Sequence, residues 1–252
     1  AVSGPMAVLT QAARRRYGGF DLDDVDRSGL ARGQLRVMVR RGWCEPVAQG
    51  VFRVAGAPES VEQQLAIALA FHGPGAAVSH EAAAWSWGIP GFDAVPPTLL
   101  LEHRCNRRSD LARVRATLWL PPTHVVQRRR LPTTTPARTI FDLAGIAPVG
   151  RVARALDHTV SRRLCTLDDV DGVHAALARR GRRGTVALRT LLEERMDDGW
   201  VAPASELERR ARAVFAAGGL PEPEFEVDLG DADWVGRVDC LWRSAKVVVE
   251  LD

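Results

Sequence analysis

The stretch that decides the fold is GLARGQLRVMVRRGWCEPVAQGVFRVAG, residues 29–56. Its first half predicts a helix over 32–41, because a glycine follows directly and a glycine just past the last turn commonly ends a helix. Its second half predicts two short strands, 43–48 and 51–54, around Gln49-Gly50, a plausible tight hairpin turn. The stretch therefore predicts a helix followed by a β-hairpin.

Two more short helices precede this stretch, at 8–17 and 22–27. The first is followed by Gly18-Gly19 and the second by Gly29, which again are stop signals. Three short helices and a hairpin form the pattern of a winged helix-turn-helix. We assign residues 1–56 to such a DNA-binding domain.

The third helix has an apolar face and a cationic face. At about 100° per residue, Leu35, Met38 and Val39 share one face and can pack on the other helices. A helix with arginines on its opposite side can enter the major groove, where Arg recognises guanine edges and Gln recognises adenine. The alternative is a small helical module with a solvated basic face. The candidate DNA-binding residues are Arg32, Gln34, Arg36, Arg40 and Arg41.

The net charge of +3 conceals an asymmetry along the 252 residues. Residues 1–200 hold 28 arginines and 20 acidic residues, whereas residues 201–252 hold 6 basic and 11 acidic residues. Basic clusters indicate a polyanion footprint, although each one could instead be a solvated helix face. The clusters are Arg14–Arg16, Arg40–Arg41, Arg107–Arg108, Arg128–Arg130 and Arg182–Arg183.

Composition also bears on the compartment. No apolar run approaches the roughly 18 residues that a membrane span needs, and we find no signal-peptide pattern at the N-terminus. The cysteines at 44, 105, 165 and 240 are isolated, without CxxC spacing, which argues against zinc and disulfides and favours a reducing compartment. We expect a cytoplasmic protein with no membrane partner.

Residues 57–200 are mixed and mostly helical in pattern. A helix is expected over 60–71, and Ser79 is expected to cap a helix that holds Trp85. His80-Glu81 could suggest acid–base chemistry, but a His-Glu pair at a helix start is ordinarily structural. Strands are expected at 98–102 and 117–120 with a basic loop at 104–115 between them, and helices at 139–143, 152–164, 167–178 and 185–196. RRGRRG, residues 179–184, is expected to be a turn between helices.

The C-terminal segment predicts a helix from Ser205 to Ala217 and three strands, at 225–229, 237–242 and 246–251. Ser205 and Glu208 have capping-box spacing. The run Val247–Val249 is typical of a strand covered on both faces.

Strand register then brings carboxylates together. A two-residue turn at Ser244-Ala245 would place Asp239 opposite Glu250, and Asp252 would point to the same side. Like charges at that distance repel, and a divalent cation with oxygen ligands such as Mg²⁺ would offset the repulsion.

The first 200 residues resemble the AbiEi family of type IV antitoxins. The resemblance rests on residues 29–56, on VSHEAAAWSWGIP at 78–90 and on TTPARTIFDLAG at 134–145. It implies a DNA-binding regulator that acts on its own promoter and has a cognate toxin as a partner. Ala31 departs from the family, which often has a capping serine there, at a cost of about 1 kcal/mol to the helix start.

The C-terminal segment resembles the PD-(D/E)XK nuclease fold, in the branch similar to very-short-patch-repair endonucleases. The matching motifs are SELE, GRVDCLW and VVVELD. The resemblance implies catalytic roles for Glu208, Asp239, Glu250 and Asp252, with Mg²⁺ held by Asp239 and Glu250. Asp252 stands where many of these enzymes have lysine.

Together these patterns predict an α+β protein with three parts: a winged helix-turn-helix at 1–56, a mostly helical AbiEi-like domain at 57–200, and a partial PD-(D/E)XK-like domain at 203–252. The expected function is binding of double-stranded DNA, joined to a Mg²⁺-dependent endonuclease-like domain. Because the nuclease pattern covers about half of such a domain, we expect this chain to be inactive or nearly so. One alternative is a non-catalytic regulator or antitoxin whose C-terminal module is a scaffold. Another is a protein-interaction module with incidental arginines.

Overall fold

The structure is a computed structural model that describes residues 4–102, 110–196, 200, 206–230 and 234–251. Within these residues the chain forms ten α-helices and three β-sheets. The predicted α+β class is therefore confirmed. No helix in these ranges has the length and apolar character that a membrane crossing requires.

The N-terminal part combines three helices with a three-stranded antiparallel sheet of order β1-β3-β2. Its core is formed by buried side chains that include Leu9, Phe20, Val25 and Leu35. The predicted helices and hairpin are confirmed, whereas β1 was not predicted. The elements are α1 (Pro5–Arg15), β1 (Gly19–Asp21), α2 (Leu22–Ser28), α3 (Arg32–Arg40), β2 (Cys44–Ala48) and β3 (Val51–Val54).

Helix α4 (Val61–His72) follows and packs on the first sheet. Ile67 and Phe71 form a buried cluster with Val51 of β3. The side chain of Gln63 also donates a 2.8 Å hydrogen bond to the carbonyl oxygen of Tyr17. The helix predicted over 60–71 is confirmed, with Ser60 as its N-cap.

The second sheet is mixed and has the order β6-β5-β4-β8-β7. Its strands are β4 (Ala77–Val78), β5 (Thr98–Leu101), β6 (Arg113–Ala116), β7 (Val125–Arg128) and β8 (Leu131–Thr134). The strand predicted at 117–120 is wrong, because β6 lies four residues earlier. Val114 of β6 packs against the core, whereas Leu118 is 87% exposed. The predicted basic loop at 104–115 therefore contains β6, and its residues 104–109 lie outside the described ranges.

Five helices build the core cluster with the most buried side chains, which include Ile140, Leu143, Leu156, Leu188 and Leu192. Their positions confirm the predicted helices with shifts of a few residues at some ends, and the 179–184 segment is a turn between α8 and α9, as predicted. They are α5 (His80–Trp87), α6 (Pro136–Ala144), α7 (Val149–Ser161), α8 (Leu167–Leu177) and α9 (Thr185–Met196).

The C-terminal part consists of α10 (Glu206–Ala217) and an antiparallel sheet, β11-β10-β9, made of β9 (Glu224–Gly230), β10 (Trp234–Trp242) and β11 (Val247–Val249). Helix α10 packs on this sheet through Phe215, whose ring centroid lies 4.9 Å from that of Trp242. The prediction of a valine strand covered on both faces does not hold in the described residues. β11 is an edge strand, and Val247 and Val248 are 44% and 43% exposed.

Candidate nucleic-acid interface and carboxylate pair

Helix α3 is held by its apolar side. Leu35 is buried, and Met38 and Val39 pack against the same N-terminal core. The predicted packing of this helix through its apolar face is therefore confirmed. The helix ends at Arg40, and Gly42 follows with a φ of 70°, a conformation that glycine adopts more readily than other residues.

The opposite side of α3 carries arginines without partners. Arg36, Arg40 and Arg41 are exposed. Within the described part of the chain, none of the three has a hydrogen bond or an ion pair to another side chain. Their charge is therefore available to an external anion, which is the property that a phosphate-contacting helix needs.

The other two candidates on α3 are engaged inside the protein. Arg32 forms a 2.6 Å ion pair with Asp26 of α2. The Oε1 atom of Gln34 accepts a 2.9 Å hydrogen bond from the backbone N–H of Ala31. Because Ala31 supplies no capping side chain, as predicted, Gln34 provides the remaining half of a capping box. The sequence spacing of Ala31 and Gln34 could have revealed this role.

The hairpin beside α3 has a tight turn at Gln49-Gly50, as predicted. Gly50 has a φ of 77°, and a Cβ there would lie 3.3 Å from Leu22. Leu22 also donates its backbone N–H to the carbonyl oxygen of Gly50, at 3.1 Å. The turn is thus fixed against the start of α2.

At the other end of the chain, two of the predicted catalytic carboxylates lie together. β10 and β11 pair with Cys240 opposite Val249, which is the register predicted from the turn at Ser244-Ala245. Glu250 directly follows β11, and continuing the same register brings it toward Asp239. The Oδ2 atom of Asp239 accepts a 2.8 Å hydrogen bond from the backbone N–H of Leu251, and Glu250 Oε2 lies 3.4 Å from the backbone N of Asp239.

Glu208 of α10 has different surroundings. It is buried and pairs with Arg212 at 3.0 Å, and Arg212 also pairs with Glu222 and lies over the ring of Phe225. An arginine already compensates its charge. Ser205, its predicted capping partner, lies outside the described residues.

The three carboxylates share one electrostatic neighbour, the buried thiol of Cys240. Burial raises the pKa of this thiol, and the negative charges of Asp239, Glu208 and Glu250 raise it further. Even so, the described residues contain no group of three or more His, Cys, Asp or Glu side chains placed to hold a metal ion. Asp252, the fourth predicted member, lies outside the described residues.

A buried polar cluster in the middle part was not predicted. Arg138 of α6 is fully buried, and its Nε atom donates to both carboxylate oxygens of Asp142, at 3.0 and 3.1 Å. His80 is buried nearby, with its Nδ1 atom 2.9 Å from Ser79 Oγ, so Ser79 occupies the N-cap position without capping α5. The sequence signal was the pair of charges four residues apart within the apolar stretch TTPARTIFDLAG.

No protein-family model matches the chain, and no curated protein matches it. Among solved structures, the chain is similar to the RV2827C protein from Mycobacterium tuberculosis. The two are 17% identical with a TM-score of 0.50, and the similarity covers 87% of this chain and 82% of the other. At this identity the similarity concerns the fold alone.

Proposed function

We propose that this chain binds double-stranded DNA and that its N-terminal part acts as a winged helix-turn-helix with α3 as the recognition helix. The observation that carries the proposal is the placement of Arg36, Arg40 and Arg41. They are exposed on the side of the helix opposite the buried Leu35, and among the described residues they have no side-chain partner. Positive side chains on a rigidly seated helix suit the phosphate backbone and guanine edges of the major groove.

The roles of the remaining α3 residues follow from their present bonds. A bidentate contact from Gln34 to an adenine edge requires its Oε1 atom to give up the bond to Ala31, and the Nη2 atom of Arg32 would exchange its bond to Asp26 for one to a phosphate. Both exchanges replace one polar interaction with another. We therefore assign the main contacts to Arg36, Arg40 and Arg41, and secondary contacts to Arg32 and Gln34.

The test is a salt titration of binding to a mixed-sequence duplex of about 30 base pairs. Each lost phosphate contact lowers the slope of log K against log salt by about 0.9. The Arg36→Ala, Arg40→Ala, Arg41→Ala triple variant should therefore show a much shallower slope and weaker binding. Arg189→Ala on α9, which removes an exposed arginine paired with Glu193, is the matched control and should bind like the parent.

Unchanged affinity and slope in the triple variant would show that α3 is not the interface. A reduced slope in the control as well would indicate a diffuse effect of net charge, which would also contradict the proposal. Circular dichroism of each variant shows whether the fold has been kept.

We further propose that the DNA-binding activity serves a regulator of the AbiEi type, with its own promoter as target and a cognate toxin as partner. The motifs at 29–56, 78–90 and 134–145 support this proposal. A genome-wide binding map should contain a peak at the chain's own gene, and the absence of that peak contradicts autoregulation.

A second candidate function is metal-dependent cleavage of DNA by the C-terminal part. It is favoured by the adjacent carboxylates of Asp239 and Glu250, since Mg²⁺ in proteins commonly uses one or two carboxylates together with substrate phosphate. These two residues would hold the ion, which when bound activates water and stabilises the charge on a leaving oxygen. The pairing of Glu208 with Arg212 instead favours a module that lacks catalysis and acts as a scaffold.

The discriminating experiment has two readouts. Calorimetric titration with Mn²⁺ should show binding to the parent and to Glu226→Ala, a carboxylate elsewhere in the same sheet, but not to Asp239→Ala or Glu250→Ala. Nicking of supercoiled DNA with Mg²⁺ or Mn²⁺ is then compared among the same proteins. Equal nicking by all four proteins would indicate a contaminant, and metal binding without nicking would favour the scaffold.

A further inference from the structure

The layer between the second sheet and helix α6 is polar where an apolar core would be expected. Val114 of β6 packs against the core cluster that includes Leu65 and Leu69, so the alternation of a strand directs Arg115 to the opposite face of the sheet. Arg115 acts electrostatically on Asp142 of α6. Thr117 follows on the same side, and its Oγ1 atom accepts a 3.4 Å hydrogen bond from Arg138. Buried polar groups at this density require compensation.

Guanidinium groups outnumber carboxylates in this layer. Arg138 is fully buried and pairs with Asp142. Burial raises the pKa of the Asp142 carboxyl to about 6, and the charges of Arg138, Arg182 and Arg115 partly counteract this rise. We call Arg115, Arg138 and Arg182 the arginine cluster. Among the described residues, Asp142 is the only carboxylate with an ion pair or hydrogen bond to these three guanidinium groups. Glu81 follows His80 in the chain, and its Oε2 atom is buried without a hydrogen-bond partner among the described residues.

The histidines next to the cluster do not add to its charge near neutral pH. Burial and the charges of the three arginines lower the pKa of His80 to about 3. Burial and Arg138 also lower the pKa of His124, whose Nδ1 atom lies 3.2 Å from Arg138 Nη1. A neutral imidazole beside guanidinium groups can still donate its one ring N–H to an oxyanion.

One donor of the cluster lacks an acceptor among the described residues. The Nε atom of Arg115 is buried, and no atom in the described part of the chain accepts a hydrogen bond from it. A guanidinium stays charged inside a protein, so its buried N–H retains the full cost of lost hydration. An external oxyanion would remove that cost and the excess positive charge together.

The cluster has a half-buried side. Arg138 is fully buried, but Arg115, Arg182 and His124 are only partly covered, and Arg182 lies over the ring of Phe141 at 4.6 Å. Trp119, whose ring contacts that of His124, is 42% exposed at the same margin. Guanidinium groups that are only partly covered are within reach of a small anion.

We propose that the arginine cluster binds the phosphate group of a small ligand, with Arg115 and Arg182 as direct contacts and Arg138 as a fixed charge behind them. Arginine suits this task because its planar fork can donate two parallel hydrogen bonds to phosphate oxygens. This site is separate from α3 and from the Asp239–Glu250 pair.

The test uses the full chain with inorganic phosphate, and compares it with chloride at equal ionic strength. Phosphate should raise the melting temperature of the parent, and calorimetry should give a saturable one-site isotherm. Arg115→Met should keep or raise the melting temperature in chloride, because it removes an unpaired buried donor. The same variant should weaken phosphate binding on the order of 10- to 100-fold, the loss expected for one charge-assisted hydrogen bond. Arg182→Met should also weaken it.

Two further comparisons make the result specific. The Arg36→Ala, Arg40→Ala, Arg41→Ala variant should keep the phosphate effect, which separates this site from the proposed DNA-binding helix. Adenosine monophosphate should bind where adenosine does not, if the phosphate is the recognised group. The proposal is overturned if phosphate and chloride stabilise the parent equally, if Arg115→Met retains the parent's affinity, or if only the α3 variant loses the effect.

Discussion

Protonation of His80 at acidic pH should lower the free energy of unfolding. The side chain is 6% exposed and lies near Arg115, Arg138 and Arg182, and its pKa is lowered from 6.5 to about 3. The folded state therefore binds fewer protons than the unfolded state between these values. By linkage, the stabilisation from neutral His80 is complete above pH 6.5 and is lost as the pH falls toward 3.

At pH 5 this shift corresponds to a loss of about 2 kcal/mol relative to neutral pH. The assay is urea unfolding at pH 7.5 and pH 5 for the parent and for His80→Asn. Asparagine is chosen because position 80 has a φ of 50°, a region that Asn tolerates better than most residues. The parent should lose about 2 kcal/mol more than the variant between the two pH values.

Other groups titrate in the same range, and the comparison is designed to cancel them. Burial raises the pKa of Asp142 to about 6, so this carboxyl contributes stability with the opposite sign, greater at pH 4 than at pH 6. The pKa of His158 is lowered by burial and acts in the same sense as that of His80. Both groups are present in both proteins. An identical pH dependence in the parent and in His80→Asn would refute the argument.

Two further predictions concern packing in the middle part. Gly184→Ala should lower the free energy of unfolding in urea by more than about 2 kcal/mol, because the new Cβ would lie 2.0 Å from the carbonyl oxygen of Ala144. Gly181→Ala is the control: it has a similar φ but open space around its Cβ, and should cost only about 1–2 kcal/mol. Equal losses in the two variants would contradict this prediction. Asp142→Ala should lower the free energy of unfolding by about 3–5 kcal/mol, because it leaves Arg138 charged and buried without its partner. The double variant Asp142→Ala, Arg138→Met should recover most of this loss. A double variant as unstable as the single variant would contradict the prediction.

The elements that the sequence predicted well are those with local signals. The ends of α2 and α3 are marked by Gly29 and Gly42, both with positive φ. The face of α3 follows from the spacing of Leu35, Met38 and Val39. Strand register at β10 and β11 also followed from one short turn, so the approach of Asp239 to Glu250 could be predicted without knowledge of the rest of the fold.

Strands β7 and β8 were missed because distant contacts determine their turn. Arg129 and Arg130 both have positive φ, at 48° and 57°, in a turn without glycine. The carbonyl oxygen of Arg129 accepts a 2.8 Å hydrogen bond from the Tyr17 hydroxyl, and the guanidinium of Arg129 lies over Trp85 and pairs with Glu62. These partners are far away in sequence, so turn rules based on neighbouring residues could not have identified the hairpin.

The same contacts change what an arginine cluster in a sequence indicates. Arg128 lies over Trp87 and Arg130 over Tyr17, so the run at 128–130 is used largely to hold the protein together. Arg16 likewise pairs with carboxylates of its own domain, Asp21 and Asp24, at 2.5 and 2.7 Å. Arg36, Arg40 and Arg41 differ because the described structure leaves them exposed without a side-chain partner. A guanidinium that is already paired must give up that interaction before it can bind a phosphate, whereas an unpaired one gives up only water. A nucleic-acid interface therefore needs arginines that the fold leaves unpaired, and Arg36, Arg40 and Arg41 meet this need better than the larger clusters.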